Sequence, residues 1–201
     1  MTIVFDLGNV LIPFDHGRWV SNLNSINQGL GDRMLNRFNE NHDLQMQYEG
    51  GKLSDNEFIN ICLNWLDNEI TSDQFCEIFS DIFSFNYNVI ELLPELKRRY
   101  RLVLLSNTSN IHKSYAWGKY SFIENFDKLI LSHEVGAVKP EEKIYRAVEN
   151  FTNEPPNSHI FIDDVLDYVN AAKNLGWDGI HFIGYENLVD EFKLRGILNN
   201  Q

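Results

Sequence analysis

The stretch Ile3-Val4-Phe5-Asp6-Leu7-Gly8-Asn9-Val10 opens the chain with three apolar residues, an acid and a small turn residue. A run this short and this apolar reads as a strand buried on both faces, as in a parallel sheet. Four similar runs follow: Leu102 to Leu105, Leu129 to Leu131, Ile160 to Ile162 and Ile180 to Ile183. Helical patterns separate the last four. Asn88 to Tyr100 carries Val89, Leu92, Leu93 and Leu96 on one face, and Pro94 predicts a kink or a late start there. Pro140 to Asn150 has Pro at a helix-opening position with Glu141 and Glu142 in the first turn. Leu166 to Leu175 is closed by Gly176, and Asn187 to Arg195 is the last helix expected. Repeated strand–helix units predict an α/β fold, a Rossmann-like doubly wound parallel sheet.

Residues 14–86 break this rhythm. Phe58, Ile61, Cys62 and Trp65 recur at helical spacing, as do Phe75, Ile78, Phe79 and Ile82. Ser54 with Glu57 is a capping-box signature. Earlier helices are expected over Arg18 to Ile26 and Met34 to Tyr48. An insertion this long with its own apolar stripes is a small all-α cap, not a loop. The expected organisation is a Rossmann-like core of residues 1–13 and 87–201 and a helical cap of 14–86. In an open parallel sheet, ligands bind beyond the carboxyl ends of the strands. A cap leaving the first strand there lies over that edge, and Gly50-Gly51 is a candidate turn that lets it approach.

Composition narrows the function. The chain has 201 residues, 43% of them hydrophobic, which suits a packed globule. Its 17 Lys and Arg against 29 Asp and Glu give a net charge of −12, which argues against a nucleic-acid partner. No apolar run approaches the roughly 20 residues of a membrane helix. The opening apolar run is too short for a secretory signal and has no basic flank, so the cytoplasm is the expected location. The spacing of Cys62 and Cys76 matches no metal or redox pattern, and both fit buried free thiols.

Polar clusters follow four strands. Asp6-Leu7-Gly8-Asn9 follows the first and Ser106-Asn107-Thr108 the second; Lys139-Pro140 lies downstream of the third, and Asp163-Asp164 follows the fourth. Taken singly, each is ordinary turn or cap composition. In a parallel sheet all four emerge on one edge. Three carboxylates gathered there repel one another unless a cation or protons offset them. Mg²⁺ is the natural cation, because it takes oxygen ligands and keeps places for water and phosphate.

The ordered set Phe5-Asp6-Leu7-Gly8-Asn9-Val10, Leu105-Ser106-Asn107-Thr108, Gly136-Ala137-Val138-Lys139-Pro140 and Phe161-Ile162-Asp163-Asp164 resembles the four signatures of the haloacid dehalogenase superfamily. Asn170 to Gly176 is similar to the helix after the family's last signature. The opening motif is most similar to a bacterial sugar-phosphate phosphatase branch, of the glucose-1-phosphate type, and more distantly to the phosphatase domain of soluble epoxide hydrolases. The resemblance implies a Mg²⁺-dependent phosphomonoesterase, with Mn²⁺ or Co²⁺ as substitutes, acting on a small phosphate ester through an aspartyl-phosphate. It implies Asp6 as nucleophile and a metal held by Asp6, the Gly8 carbonyl and Asp164. Asp163 binds a metal water or orients Lys139, and either of the two adjacent Asp residues is open as the direct ligand. Ser106 and the amides of Asn107 and Thr108 hold phosphate oxygens. Lys139 offsets the charge on Asp6 and phosphate.

Two positions depart from that pattern. Most family phosphatases carry a second Asp where this chain has Gly8, and it protonates the leaving group. Asp15 and His16 are the candidates for a replacement acid. Tyr168 stands where related sequences place Asn or Asp, with Asp167 beside it. His112, Tyr115, Trp117 and Tyr120 read first as loop–helix packing and second as pocket lining. His42, Tyr48 and Lys52 are the cap's candidates for substrate selection. The competing readings are a dehalogenase, a phosphomutase and a binding protein on a decayed site. A dehalogenase has little use for Asp163-Asp164, and a mutase wants the acid that Gly8 replaces.

Overall fold

In the computed structural model, which describes residues 1–199, the five apolar runs form one sheet. β1 (Thr2–Phe5), β2 (Arg101–Ser106), β3 (Lys128–Leu131), β4 (His159–Asp163) and β5 (Asp178–His181) lie in the order β3-β2-β1-β4-β5. All four pairings are parallel. Strand alternation sends Ile3, Phe5, Leu102, Leu104, Ile160 and Ile162 to one face and Val4, Val103, Leu105 and Phe161 to the other. The first face is covered by Val89 of α6 (Tyr87–Ile90), Leu93 and Leu96 of α7 (Leu93–Lys97), and Leu188 and Phe192 of α12 (Tyr185–Leu194). The second is covered by Ile144, Tyr145 and Val148 of α10 (Glu142–Thr152) and Ala172 of α11 (Leu166–Asn174). Both faces are therefore dry, which explains why these strands read as unbroken apolar runs.

Several element boundaries differ from the sequence expectation, each for a local reason. The segment Asn88 to Tyr100 is two short helices, and Pro94 lies in the first turn of the second. Pro140 does not open α10. Residues 138–141 form a turn in which the Glu141 amide donates to the Val138 carbonyl at 2.8 Å, and extended Glu141 is the N-cap. β5 ends two residues early because its ladder on β4 ends with Asp163 opposite His181, and Ile183 is 71% exposed.

Residues 16–80 fold as α1 (His16–Ile26), α2 (Leu30–Glu40), α3 (His42–Glu49), α4 (Asp55–Trp65) and α5 (Ser72–Ser80). The helix expected over Met34 to Tyr48 is broken at Asn41, whose side chain donates to the Arg37 carbonyl at 2.8 Å and competes with the helical ladder. Capping boxes open α4 at Ser54 and α5 at Thr71. These helices bury their own cluster around Tyr48 and Phe58, stacked at 4.1 Å, with Phe75 and Phe79 behind; Cys62 and Cys76 are buried in it as free thiols. Two antiparallel connections join the cluster to the sheet. Asp15 N–H donates to Ile82 O, Ser84 N–H to Pro13 O and Asn86 N–H to Leu11 O. Ile111 of α8 (Asn110–Ala116), which follows β2, also packs into this cluster.

Gly51 marks a close approach of the two parts. It has φ +70°, and a Cβ there would lie 2.7 Å from the His133 carbonyl oxygen on α9 (Ser132–Val135). Gly51→Ala is expected to lower stability by at least the roughly 1–2 kcal/mol that left-handed backbone costs an L-residue, with the backbone contact adding to it. Chemical denaturation checks this; an unchanged midpoint would show that the contact constrains nothing.

Candidate active site

Parallel strands deliver their carboxyl ends to one edge, and the polar residues collect there. Asp6 follows β1, Ser106 ends β2 and Asp163 ends β4. Lys139 reaches them from the turn after α9. Its side chain is buried, with Nζ 2.7 Å from Asp6 Oδ1 and 2.6 Å from Asp163 Oδ2. Nζ also lies 5.5 Å from the Phe161 ring centre and 5.2 Å from that of Tyr168, whose rings wall it off from water. Asn107 fixes the lysine backbone from both sides. Its Oδ1 accepts from Lys139 N–H at 2.7 Å, and its Nδ2 donates to Lys139 O at 3.2 Å.

The turn after Asp6 is equally constrained. Leu11 and Ile12 both donate to the Leu7 carbonyl, and Val10 N–H donates to the Gly8 carbonyl at 2.6 Å. Asn9 adopts φ +52°, and its Nδ2 donates to Asp164 Oδ2 at 3.0 Å. Asp163 and Asp164 are adjacent but face different ways. Asp163 is fully buried and accepts from Val165 N–H as well as from Lys139, whereas Asp164 lines the cavity.

That cavity is about 230 Å³ and is lined by Asp6, Gly8, Ser106, Asn107, Thr108, Lys139 and Asp164. One oxygen from each of Asp6, Asp163 and Asp164 lies within 4.8 Å of the others. Three carboxylates face one ammonium, so the site has a net deficit of positive charge. A hard dication with oxygen ligands fits that donor set. Burial, helped by the Asp163 charge, pushes the Asp6 carboxyl up to about 7 against the pull of Lys139. Burial also raises Asp163 while Lys139 opposes. Burial works against the Lys139 charge, but the two carboxylates outweigh it and hold its pKa above the ordinary value.

Other sequence candidates are distributed differently. The Thr108 amide donates to Ser132 Oγ at 2.9 Å, so it is already committed, while its side chain lines the cavity. Asp15 caps α1 by accepting from Gly17 N–H and lies off the cavity; His16 lines it, its ring tilted against that of Phe14. Asp167 is exposed, and Tyr168 is the residue that reaches the lysine. Trp117 and Tyr120 belong to the core, Tyr115 is exposed, and His112 stacks on Phe79 at 4.7 Å at the cavity edge. Tyr48 donates to Asp55 inside the helical cluster, and neither His42 nor Lys52 lines the cavity. The helices instead contribute Gln45 and Glu49, which sequence reasoning missed. They sit one turn apart on α3, a face hidden by reading Met34 to Tyr48 as one continuous helix.

The raised Asp6 pKa has a thermodynamic consequence for metal-free protein. Between about 3.8 and about 7 the folded state holds a proton that the unfolded chain releases, so stability rises as pH falls through this window. Asp6→Asn leaves Lys139 paired with Asp163 alone. It is expected to raise stability above pH 7 and to flatten the pH dependence below it, measured by denaturation with chelator present. Parallel curves for the two proteins would count against this electrostatic picture.

The profile of the haloacid dehalogenase-like hydrolases matches residues 25–182. A D-ribitol-5-phosphate phosphatase of Bacteroides thetaiotaomicron is 26% identical over 186 residues, 88% of this chain and 88% of that protein. A haloacid dehalogenase family enzyme of the same organism, solved with magnesium and inorganic phosphate, superposes with a TM-score of 0.78 at 26% identity, covering 89% of this chain and 92% of that one. A haloacid dehalogenase-like family hydrolase of Porphyromonas gingivalis gives a TM-score of 0.80 at 25% identity over 100% of this chain and 98% of that one. Because the profile spans well over half of the sequence, the chain belongs to the haloacid dehalogenase-like hydrolases.

Proposed function

We propose that the protein is a Mg²⁺-dependent phosphomonoesterase for a small sugar-type phosphate, with Asp6 as covalent nucleophile. The observation that carries this reading is the single buried ammonium of Lys139 held between Asp6 and Asp163. It fixes one Asp6 oxygen and leaves the carboxylate facing a cavity sized for a phosphate and a few carbons. Asp6 attacks phosphorus, the ester oxygen leaves, and water then hydrolyses the aspartyl-phosphate. Ser106 Oγ and the Asn107 amide are the donors for phosphate oxygens. Lys139 offsets charge shared by Asp6 and phosphate, so positioning and electrostatics supply most of the rate.

Asp6, Asp164 and the Gly8 carbonyl are the candidate ligands of Mg²⁺, since Gly8 O keeps a second lone pair beside its bond to Val10. Asp163 serves by orienting Lys139. Bound there, the cation supplies charge neutralisation for the incoming phosphate. Residues 14–86 act as a cap that excludes water from the cavity. The phosphate carried by the two Bacteroides thetaiotaomicron proteins, one by name and one by its bound ions, supports this substrate class. Asp164 facing the cavity weighs against a metal-free dehalogenase, and the intact Lys139 cluster weighs against decay.

Turnover of p-nitrophenyl phosphate with Mg²⁺, followed by a screen of phosphometabolites, tests the proposal. Asp6→Asn should lower kcat by about 10³-fold or more, the scale on which loss of a nucleophile acts, with the fold retained. Asp164→Ala should raise the Mg²⁺ concentration for half-activation by at least roughly tenfold, as outer partners of metal sites alone can do. Full activity of Asp6→Asn would overturn the nucleophile, and an unchanged Mg²⁺ requirement would remove Asp164 from the metal.

A further inference from the structure

We propose that Glu49 is the general acid of this site, delivered by the helical insertion in place of the carboxyl that Gly8 lacks; the inference rests on the phosphomonoesterase reading. Glu49 is the last residue of α3 and lines the same cavity as Asp6, Lys139, Asp164 and Tyr168. Its carboxyl accepts one hydrogen bond, from Gln45 Nε2 at 2.8 Å, and makes no salt bridge among the described residues. A half-buried carboxyl with no cation of its own, facing a cavity that already holds two acids, has no evident structural duty.

Its placement is fixed rather than incidental. Gly50 and Gly51 follow directly, and Gly51 presses the end of α3 against the backbone of His133. His133 belongs to α9, and six residues later the same segment supplies Lys139. The contact that seats the insertion therefore joins the end of α3, which carries Glu49, to the segment that leads to the lysine. Burial raises the Glu49 carboxyl above its ordinary pKa, while Gln45 and the Lys139 charge pull the other way. A carboxyl biased toward its protonated form suits an acid, and an ionised one would repel an incoming phosphate.

The rivals are spent or unsuited. Asp15 is committed to the α1 N-cap. His16 reaches the cavity, but burial lowers its pKa, which favours the neutral ring that holds no spare acidic proton at neutral pH. A side chain at position 8 meets Phe14, whose ring carbon lies 3.3 Å from where the Cβ would be. Glu49 is the carboxyl that the helical insertion contributes to the cavity lining.

The proton accounting closes. As Asp6 bonds to phosphorus and the ester P–O bond breaks, Glu49 gives its proton to the departing oxygen, yielding an alcohol, the aspartyl-phosphate and a Glu49 carboxylate. Water then attacks phosphorus and passes one proton to Glu49. Hydrogen phosphate leaves, and the Asp6 carboxylate and the Glu49 acid are restored.

A series of phosphate monoesters, from p-nitrophenyl phosphate to simple alkyl phosphates, tests this on the intact Mg²⁺-loaded protein. Wild type should show a shallow dependence of kcat on leaving-group pKa. Glu49→Gln keeps the hydrogen bond from Gln45 and should lower kcat for alkyl esters by about 10²-fold or more, the range of general acid catalysis, and for p-nitrophenyl phosphate by less than about tenfold, so the dependence steepens. The retained aryl turnover shows that the variant is folded, and Asp6→Asn, run beside it, tests the nucleophile separately. His16→Gln should keep the shallow slope. An equal loss on aryl and alkyl esters, a rise in KM alone, or a steep slope in His16→Gln with a shallow one in Glu49→Gln would each overturn the assignment.

Discussion

A lysine ammonium taken out of water costs several kcal/mol unless opposite charge and hydrogen bonds surround it. Lys139 meets that demand with two carboxylates from neighbouring strands, Asp6 after β1 and Asp163 at the end of β4. Its backbone comes from the segment after β3 and is clamped by Asn107 after β2. One residue, through its side chain and its backbone, thus ties together the ends of four strands. The tie holds only if those strands are parallel, adjacent and in register, which the ladders of β1 with β2 and β4 supply. Removing the lysine would leave two buried carboxylates, so the interaction constrains the fold even where its net contribution to stability is small.

The same cluster explains how a chain of net charge −12 can host phosphate. Long-range surface charge is screened within about 8–10 Å at physiological salt, whereas the cavity is governed by groups a few ångströms apart. There the balance is three carboxylates to one ammonium. A dication turns that local deficit into a site for a second anion. On the proposed metal assignment, the sign of the site is set by what binds at Asp6 and Asp164, not by the surface charge.

Much of this was legible in the sequence because it depends on period and order. Runs buried on both faces, such as Ile3-Val4-Phe5 and Ile160-Phe161-Ile162, carry their own signal, and the parallel topology then forces their polar successors onto one edge. The Ser54–Glu57 box and the apolar stripes of α4 and α5 were equally local. What stayed hidden depends on contacts between distant residues. Nothing in the local pattern shows that Ser132 takes the Thr108 amide, that Asp163 turns inward while Asp164 turns out, or that β5 stops at His181 because β4 does. Helix phase was the other failure. Asn41 resets the phase between α2 and α3, and with it the face that carries Gln45 and Glu49.

Placing the acid on the insertion changes how the two parts of the molecule depend on each other. An acid two residues from the nucleophile, on the same turn, is in place whenever the sheet is folded. Glu49 instead owes its place to α3, whose end meets α9 at the Gly51–His133 approach. On the proposed assignment, phosphate and metal lie on the sheet side of the cavity, and the proton for the leaving group comes from the side of the insertion. Ile111 in the helical cluster and the paired connections at Pro13–Asp15 and Ile82–Asn86 tie the insertion to the sheet. The glycine at position 8 is then not a missing part. On the proposed assignment it moves the proton from the strand side of the cavity to the side of the insertion.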